Sequence, residues 1–276
     1  MKYYCLIAGL PEIEIDDNKL SINISDFRED LRSQLSDKDN QLIDLLYTQY
    51  DNQNLLRYLN DKDAELDTRG NLTKEELEEG IRLISEDEDP KNKHFPPYFK
   101  TFIEEFKETQ TAVESTRWEN RISELYYQWA MQNKNKFVSK WFEFNLNLNN
   151  ILTAYTYRKY QMETEVVGDN EVAQSIRGSN QRDLGLTGTI DNLEELQRIA
   201  DESDLFEREK KIDLLKWSWL DEETFFEYFT IERIFAYVIK LGIIERWANL
   251  DHEEGKKIFR ELINRLKESV VKEQEL

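Results

Sequence analysis

Apolar residues recur every three or four positions along most of the chain, a spacing that is typical of amphipathic helices. Residues 141–160, WFEFNLNLNNILTAYTYRKY, are ambiguous, because their first half also alternates apolar and polar residues as a strand does. A strand would have to end inside NNIL without a glycine or a proline. A helix instead aligns large apolar residues on one face: Trp141, Phe144, Leu148, Ile151 and Tyr155. We therefore predict a helix, with asparagines at the edge of this face, where amides can bond to neighbouring helices.

The first 24 residues contain the best strand candidates. The segment YYCLIAGL precedes Pro11, and KLSINI, which ends at Ile24, alternates polar and apolar residues. After them, Asp26 and Glu29 have the spacing of a capping box, which predicts the start of a helix. Short helices are predicted from there to residue 97.

The residue pattern in the middle of the chain predicts longer helices and two polar connections. Residues 85–97, SEDEDPKNKHFPP, combine charges with prolines and are predicted to be exposed. From residue 98, the apolar spacing predicts two helices in sequence or one bent helix, followed by the helix over 141–160. Residues 168–188 are polar and rich in glycine, which predicts a loop or a short helix between loops.

The C-terminal part of the chain predicts further helices. Capping-box spacings, Asp191 with Glu194 and Asp251 with Glu254, mark two helix starts. Between them, residues 225–247 are the most hydrophobic stretch of the chain. Apolar residues at helical spacing mark the last predicted helix: Ile258, Leu262, Ile263 and Leu266.

These elements predict a mainly α protein, a multi-helix bundle with a small extended N-terminal segment. Nine glycines and four prolines are few for 276 residues and leave little turn chemistry for a many-stranded sheet. We predict two regions packed as one globular unit. Residues 1–97 form a region with strands and short helices, and residues 98–276 form a bundle of long helices.

The charge of the chain argues against some partners. It carries 37 Lys and Arg against 57 Asp and Glu, and the net charge of -20 repels phosphate backbones and anionic lipid surfaces. We expect no nucleic-acid partner and no direct membrane insertion; a basic protein partner and simple solubility both remain open. The single Cys5 fits a reducing compartment, and the N-terminal apolar run is far shorter than the roughly 20 residues of a spanning helix. We therefore expect a cytoplasmic protein.

Candidate catalytic chemistry is sparse. Nucleophilic catalysis needs a nucleophile, a base and an orienting group, and the chain offers one cysteine and two histidines, His94 and His252, both predicted to be exposed. It has no cysteine pair or HExxH for zinc, and GLTG at 185–188 lacks the pattern of a phosphate loop. We predict no catalytic, cofactor-binding or metal-binding residue. A carboxylate pair for acid–base catalysis cannot be singled out among 57 acidic residues.

Residues 67–78, DTRGNLTKEELE, have part of a calcium-loop pattern. Oxygen-bearing residues stand at the first, fifth and twelfth ligand positions: Asp67, Asn71 and Glu78. Arg69, however, occupies the third ligand position, where a cation opposes calcium, and Leu72 replaces the required glycine. Thr73 and Glu76 have capping-box spacing, so we predict a helix start instead.

Three segments resemble helices of the C subunit family of V-type ATPases, called subunit d in the eukaryotic enzyme. They are LNLNNILTAYTYRKY at 146–160, FTIERIFAYVIKLGIIERW at 229–247 and DHEEGKKIFRELINRL at 251–266. The opening MKYYCLIAGLP resembles the start of an uncharacterised bacterial family whose genes lie among those of V-type ATPase subunits. The residues that match the first two helices by position are Asn150, Ile151 and Arg158, and Ile231, Glu232, Ala236, Tyr237 and Glu245.

The resemblance implies an all-helical, funnel-like bundle without catalytic activity. Such a subunit lies in the cytoplasm, peripheral to the inner membrane, and connects the central shaft to the membrane rotor ring so that torque is transmitted. Asn150, Arg158, Tyr237 and Glu245 are then possible partner or cavity residues. For Arg158 and Glu245 the plain interpretation is a partly exposed helix salt bridge. An acidic body is expected to grip a basic end of the shaft.

Two questions stay open at this point. The rings of four residues form either a partner surface or ordinary core packing: Trp217, Trp219, Trp247 and Phe229. The alternatives to a V-type ATPase subunit are a stand-alone acidic helical adaptor that binds another protein and a metal-dependent hydrolase.

Overall fold

The computed structural model describes residues 2–15, 22–109, 115–163 and 165–249, which fold into helices joined by loops, with no strand among them. The prediction of a mainly α, multi-helix protein is confirmed. The helices are α1 (Tyr4–Ala8), α2 (Ile24–Gln34), α3 (Asp37–Asn60), α4 (Lys74–Ser85), α5 (Tyr98–Glu108), α6 (Ser115–Met131), α7 (Lys136–Lys159), α8 (Glu171–Gly178), α9 (Leu193–Asp201), α10 (Leu205–Glu223) and α11 (Ile231–Asn249).

The chain divides into two compact units. Unit 1 consists of residues 1–36 and 203–276 and contains α1, α2, α10 and α11. Unit 2 consists of residues 37–202 and contains α3 to α9. The boundary predicted at residue 97 falls within unit 2, and the first 36 residues are grouped with the C-terminal part of the chain.

The two predicted N-terminal strands are wrong where the structure describes them. Residues 4–8 form α1, in which the Ile7 N–H donates to the Tyr3 carbonyl at 3.0 Å, as a helix requires. Of the second predicted strand, Ile22 lies in a bend, Asn23 caps α2 and Ile24 begins it, while residues 19–21 lie outside the described residues. A strand needs a hydrogen-bonding partner, and a short apolar run satisfies its own backbone as a helix.

The capping predictions have mixed outcomes. The box between Thr73 and Glu76 is confirmed, because each side chain accepts from the other residue's backbone N–H, at 3.2 and 2.9 Å. Helix α2 is capped instead by Asn23, whose side chain accepts from the N–H of Ser25 and Asp26, so Asp26 lies within the first turn. Helix α9 begins after Asn192 without a side-chain cap, so the box predicted at Asp191 is wrong. The box predicted at Asp251 and the last predicted helix lie outside the described residues.

Helix α7 is the centre of unit 2 and packs against α6, α8 and α9. It confirms the helical interpretation of residues 141–160. The segment from residue 98 forms two helices, α5 and α6, which is one of the two predicted alternatives. The side chains at the centre of this core are almost fully buried: Phe99, Phe102, Ile103, Ile122, Leu146, Leu148 and Ile151.

Asparagines around the apolar face of α7 bond to neighbouring segments, as predicted. The Asn149 amide donates to the Tyr127 hydroxyl of α6 at 3.3 Å, and Asn147 accepts from Asn170, the N-cap of α8, at 2.7 Å. Asn145 instead donates to the Trp141 carbonyl within α7, at 2.8 Å. The amides thus position adjacent elements without placing a charge in the core.

The glycine-rich segment forms a short helix, α8, between loops. Gly185 has φ +71, and a Cβ at this position would lie 3.0 Å from the Ser179 Cβ. Gly168 also has a positive φ, +78. Both positions therefore favour glycine for backbone reasons.

The connection between α4 and α5 is exposed at residues 85–89, as predicted, but not throughout. Phe95 and Pro96 are buried, and the Phe95 ring lies where a Cβ on Gly80 would be, at 2.1 Å. His94, also predicted to be exposed, is only partly so, and its Nδ1 lies 3.2 Å from Asp44 Oδ2. The Phe95 ring thus packs the end of this charged connection against Gly80 of α4.

The partial calcium-loop pattern forms a loop that is bound to α3. Arg69 pairs with Asp67 at 2.6 Å, and its hydrogen bonds lower the pKa of that carboxyl to about 2. The buried Asp51 carboxylate of α3 accepts from the backbone N–H of Asn71 at 2.8 Å and of Leu72 at 3.1 Å. It also accepts from the Asn71 side-chain amide at 2.8 Å. Asp51 therefore stabilises the loop that leads into α4.

Replacing Asp51 with alanine is expected to lower the free energy of unfolding by about 3 kcal/mol or more, because three donors lose their acceptor in a largely buried site. Urea unfolding measures this loss. Asp63→Ala, at an exposed carboxylate in the same loop, is the control and should change stability by less than about 0.5 kcal/mol. Equal effects of the two substitutions would contradict the role of Asp51.

Candidate partner-binding site

Helices α10 and α11 of unit 1 pack against each other. The Asp213 carboxylate of α10 is 1% exposed and forms an ion pair with Arg246 of α11. It also accepts from the Trp247 indole N–H at 2.8 Å. A buried charge is tolerated only when it is paired and hydrogen-bonded, so these contacts fix the two helices at this end.

A second contact joins the helices nearer their connection. Lys240 of α11 is 8% exposed, and its ammonium lies 2.5 Å from Asp221 Oδ1 and 4.4 Å from the centroid of the Trp217 ring. Desolvation lowers the pKa of Lys240, and Asp221 opposes this shift. The ion pair and the cation–π contact together position the end of α10 beside α11.

Residues 224–230, which connect the two helices, form the segment that we call the aromatic turn. The buried Thr224 hydroxyl donates to the Leu220 carbonyl at 2.6 Å, and Arg233 donates to the same hydroxyl at 3.2 Å. The Glu227 N–H donates to the Thr224 carbonyl at 3.0 Å. These bonds end α10 and define the turn without a glycine or a proline.

The aromatic turn exposes three large rings. Phe225 is 65% exposed, Phe226 78% and Tyr228 64%. The first two rings meet edge to face at 4.8 Å between centroids. Phe229, by contrast, is half-buried and packs 4.8 Å from the ring of Tyr4, which is itself 55% exposed. Adjacent exposed rings of this size are typical of partner-binding surfaces.

Acidic residues flank the aromatic turn in the sequence. Residues 221–232 contain five acidic residues: Asp221, Glu222, Glu223, Glu227 and Glu232. Asp221 is paired with Lys240. Glu222 is exposed, and Glu227 is half-buried within the turn. The exposed rings are therefore flanked in the sequence by five carboxylates, while Lys240 pairs with Asp221 and Arg233 binds Thr224.

The predicted site residues Asn150 and Arg158 both lie on α7 of unit 2 and bind the segment that follows this helix. The Asn150 amide donates to the Val167 carbonyl and accepts from the Val167 N–H, both at 2.8 Å. Arg158 donates to the carbonyls of Ser179, at 2.5 Å, and Gln181. These contacts hold the loops on either side of α8 against α7.

The other two predicted site residues, Tyr237 and Glu245, lie on α11 of unit 1. The Tyr237 hydroxyl donates to the Pro11 carbonyl at 3.0 Å, and its ring meets Phe27 of α2 at 5.8 Å. Desolvation raises the pKa of Tyr237 to about 12. Glu245 is half-buried on α11. Tyr237 thus joins α11 to the N-terminal segment.

The rings singled out from the sequence as partner or core residues are half-buried: Trp217, Trp219, Trp247 and Phe229. Trp247 packs edge to face on Phe206 at 4.9 Å. The exposed rings of the aromatic turn are Phe225, Phe226 and Tyr228, which the sequence interpretation did not separate from the hydrophobic stretch 225–247. The signal that could have found them is the sequence DEETFFEY, in which an acidic run directly precedes aromatic residues.

Open clefts lie among the described residues of unit 2. One, of about 390 Å³, is lined by Glu105, Arg117, Trp118, Arg121, Glu124 and Arg177, among others. Arg121 is engaged there by Glu105 at 2.6 Å and Glu124 at 2.7 Å. Another, of about 340 Å³, includes Glu75, Glu76, Glu79 and Phe95. Within the described ranges, no three His, Cys, Asp or Glu side chains are grouped so that they could hold a metal ion.

Comparison with known proteins gives a family but no function. Residues 1–270 match the model of a family described as Protein of unknown function (DUF2764). The chain belongs to this family. No curated protein and no solved structure matches it. Among the helices that the structure describes, none is long and apolar enough to cross a membrane.

Asn150→Ala is expected to destabilise unit 2 by about 1 to 3 kcal/mol, because the Val167 N–H and carbonyl lose their partners in a partly buried site. Hydrogen exchange of peptides that contain Val167 should become faster, and urea unfolding measures the loss. Glu143→Ala, at an exposed side chain of α7, is the control. Unchanged exchange in Asn150→Ala would contradict a structural role and favour a role in partner binding.

Proposed function

We propose that this protein is a non-catalytic subunit of a V-type ATPase or ATP synthase, which connects the central shaft to the membrane rotor ring. One observation carries the proposal. The segment 229–247, which resembles a helix of the C subunit family, begins in the aromatic turn and continues as α11. The part of the chain with the family resemblance therefore begins within four residues of two highly exposed rings, Phe225 and Phe226.

A subunit that connects a shaft to a rotor ring has a mechanical requirement. It must transmit force, so its contact surface has to be fixed to a rigid frame. The aromatic turn meets this requirement, because the ion pairs at Asp213 and Lys240 fix the helices on both sides of it. Exposed aromatic rings on fixed backbone lose little conformational entropy on binding, which favours a specific protein contact.

The proposal includes a location and partners. The protein lies in the cytoplasm, peripheral to the inner membrane, and reaches the membrane through other V-type ATPase subunits of the central shaft and the rotor ring. It carries out no catalysis and needs no cofactor. The same aromatic turn also favours a second candidate function, a stand-alone acidic adaptor for another protein, and the identity of the bound chains distinguishes the two.

The experiment is affinity capture of the tagged, full-length protein from membranes of the source organism, followed by mass spectrometry. We expect V-type ATPase subunits to be recovered with the natural sequence. The double substitution Phe225→Ser with Phe226→Ser should reduce recovery at least about tenfold, because hot-spot aromatic residues dominate interface energies. Tyr160→Ser with Met162→Ser is the matched control, since these residues of unit 2 are 65% and 55% exposed and should leave recovery unchanged.

Recovery of other proteins in place of ATPase subunits, from membranes that contain the intact ATPase, would favour the adaptor and reject the rotary-ATPase proposal. Circular dichroism and urea unfolding of each variant must match the natural sequence, so that lost recovery cannot be ascribed to unfolding.

A further inference from the structure

The aromatic turn has chemical features that restrict its partner. Its exposed rings are consecutive or nearly so, whereas the neighbouring Phe229 is half-buried and packs against the ring of Tyr4. Phe225, Phe226 and Tyr228 therefore leave most of their area exposed, on a turn whose first residue, Thr224, is hydrogen-bonded to α10 and to Arg233.

Charge at the margin distinguishes the possible partners. Glu222 and Glu227 lie beside the rings, and the whole chain carries a net charge of -20. Like charges at an interface are costly, and complementary charges increase the association rate. An acidic protein and an anionic lipid surface are thus both disfavoured at this site.

We infer that the aromatic turn is a docking surface for a basic segment of another protein that carries exposed aliphatic side chains. Phe225, Phe226 and Tyr228 contact the aliphatic side chains, and Glu222 and Glu227 face the lysine or arginine residues that flank them. A second copy of this chain is a poorer occupant, because it would bring the same acidic margin to the interface. The inference rests on the proposed function in one respect, namely that the protein binds another protein.

The test uses a labelled, synthetic amphipathic peptide of leucine and lysine, about five helical turns long. A peptide of the same pattern with glutamate in place of lysine is the charge control. Fluorescence anisotropy with the full-length protein should show binding of the lysine peptide and at least about tenfold weaker binding of the glutamate peptide. The affinity for the lysine peptide should fall with added salt, as expected for charges near the surface.

Two sets of substitutions separate the rings from the charges. Phe225→Ser with Phe226→Ser should weaken binding of the lysine peptide at least about tenfold at every salt concentration. Glu222→Gln with Glu227→Gln should weaken it mainly at low salt and reduce the salt dependence. The control Tyr160→Ser with Met162→Ser keeps the net charge of the protein and should bind as the natural sequence does.

Three outcomes would overturn the inference. Equal binding by the ring variant and the natural sequence would mean that the overall acidity of the chain attracts the peptide. Equal binding of the two peptides would reject a basic partner. A dimer in light scattering that the ring substitutions dissociate would assign the surface to a second copy. Because the peptide assay contains no ATPase, its failure is distinguishable from failure of the capture experiment.

Discussion

The candidate site depends most on the contacts of the buried Asp213 carboxylate. It lies on α10 and accepts from Arg246 and Trp247 on α11, so one side chain joins the two helices that carry the aromatic turn. Loss of such a group leaves its partners unpaired in a partly buried site, which costs more than the pair contributes when it is intact. The helices on both sides of the aromatic turn are therefore joined by paired charges, at Asp213 and, nearer the turn, at Lys240.

Unit 2 is also stabilised by buried polar side chains, one a neutral amide and one a carboxylate. The Asn150 amide satisfies both backbone groups of Val167, and Asp51 accepts from two successive backbone N–H groups of the loop before α4. In each case a polar side chain on a long helix replaces the partners that a loop lacks. Unsatisfied buried backbone groups are rare in proteins, which explains why long helices such as α3 and α7 carry polar residues on buried faces.

The residue pattern predicts the helices well and the contacts between loops and helices poorly. Helix α7 was predictable because its apolar face continues past the point where a strand must end. Residues 4–8 were not, because a short apolar run fits either structure and the choice depends on whether a distant segment supplies a partner.

The site residues Asn150, Arg158 and Tyr237 were singled out through a family resemblance. Their backbone contacts at Val167, Ser179 and Pro11 depend on how distant segments pack, which periodicity does not encode. The aromatic turn could not be predicted from turn residues, because α10 ends at its C-cap, Thr224, without a glycine or a proline.

The central claim is that the aromatic turn is where this protein contacts a chain of a V-type ATPase. Site-specific photo-crosslinking in cells of the source organism tests it most directly, with benzoylphenylalanine placed at Phe226 and, for comparison, at Tyr160, which is also highly exposed. The claim predicts a covalent adduct with a V-type ATPase subunit from position 226 and none from position 160. Adducts from both positions alike, or from position 226 only to proteins outside the ATPase, would contradict it.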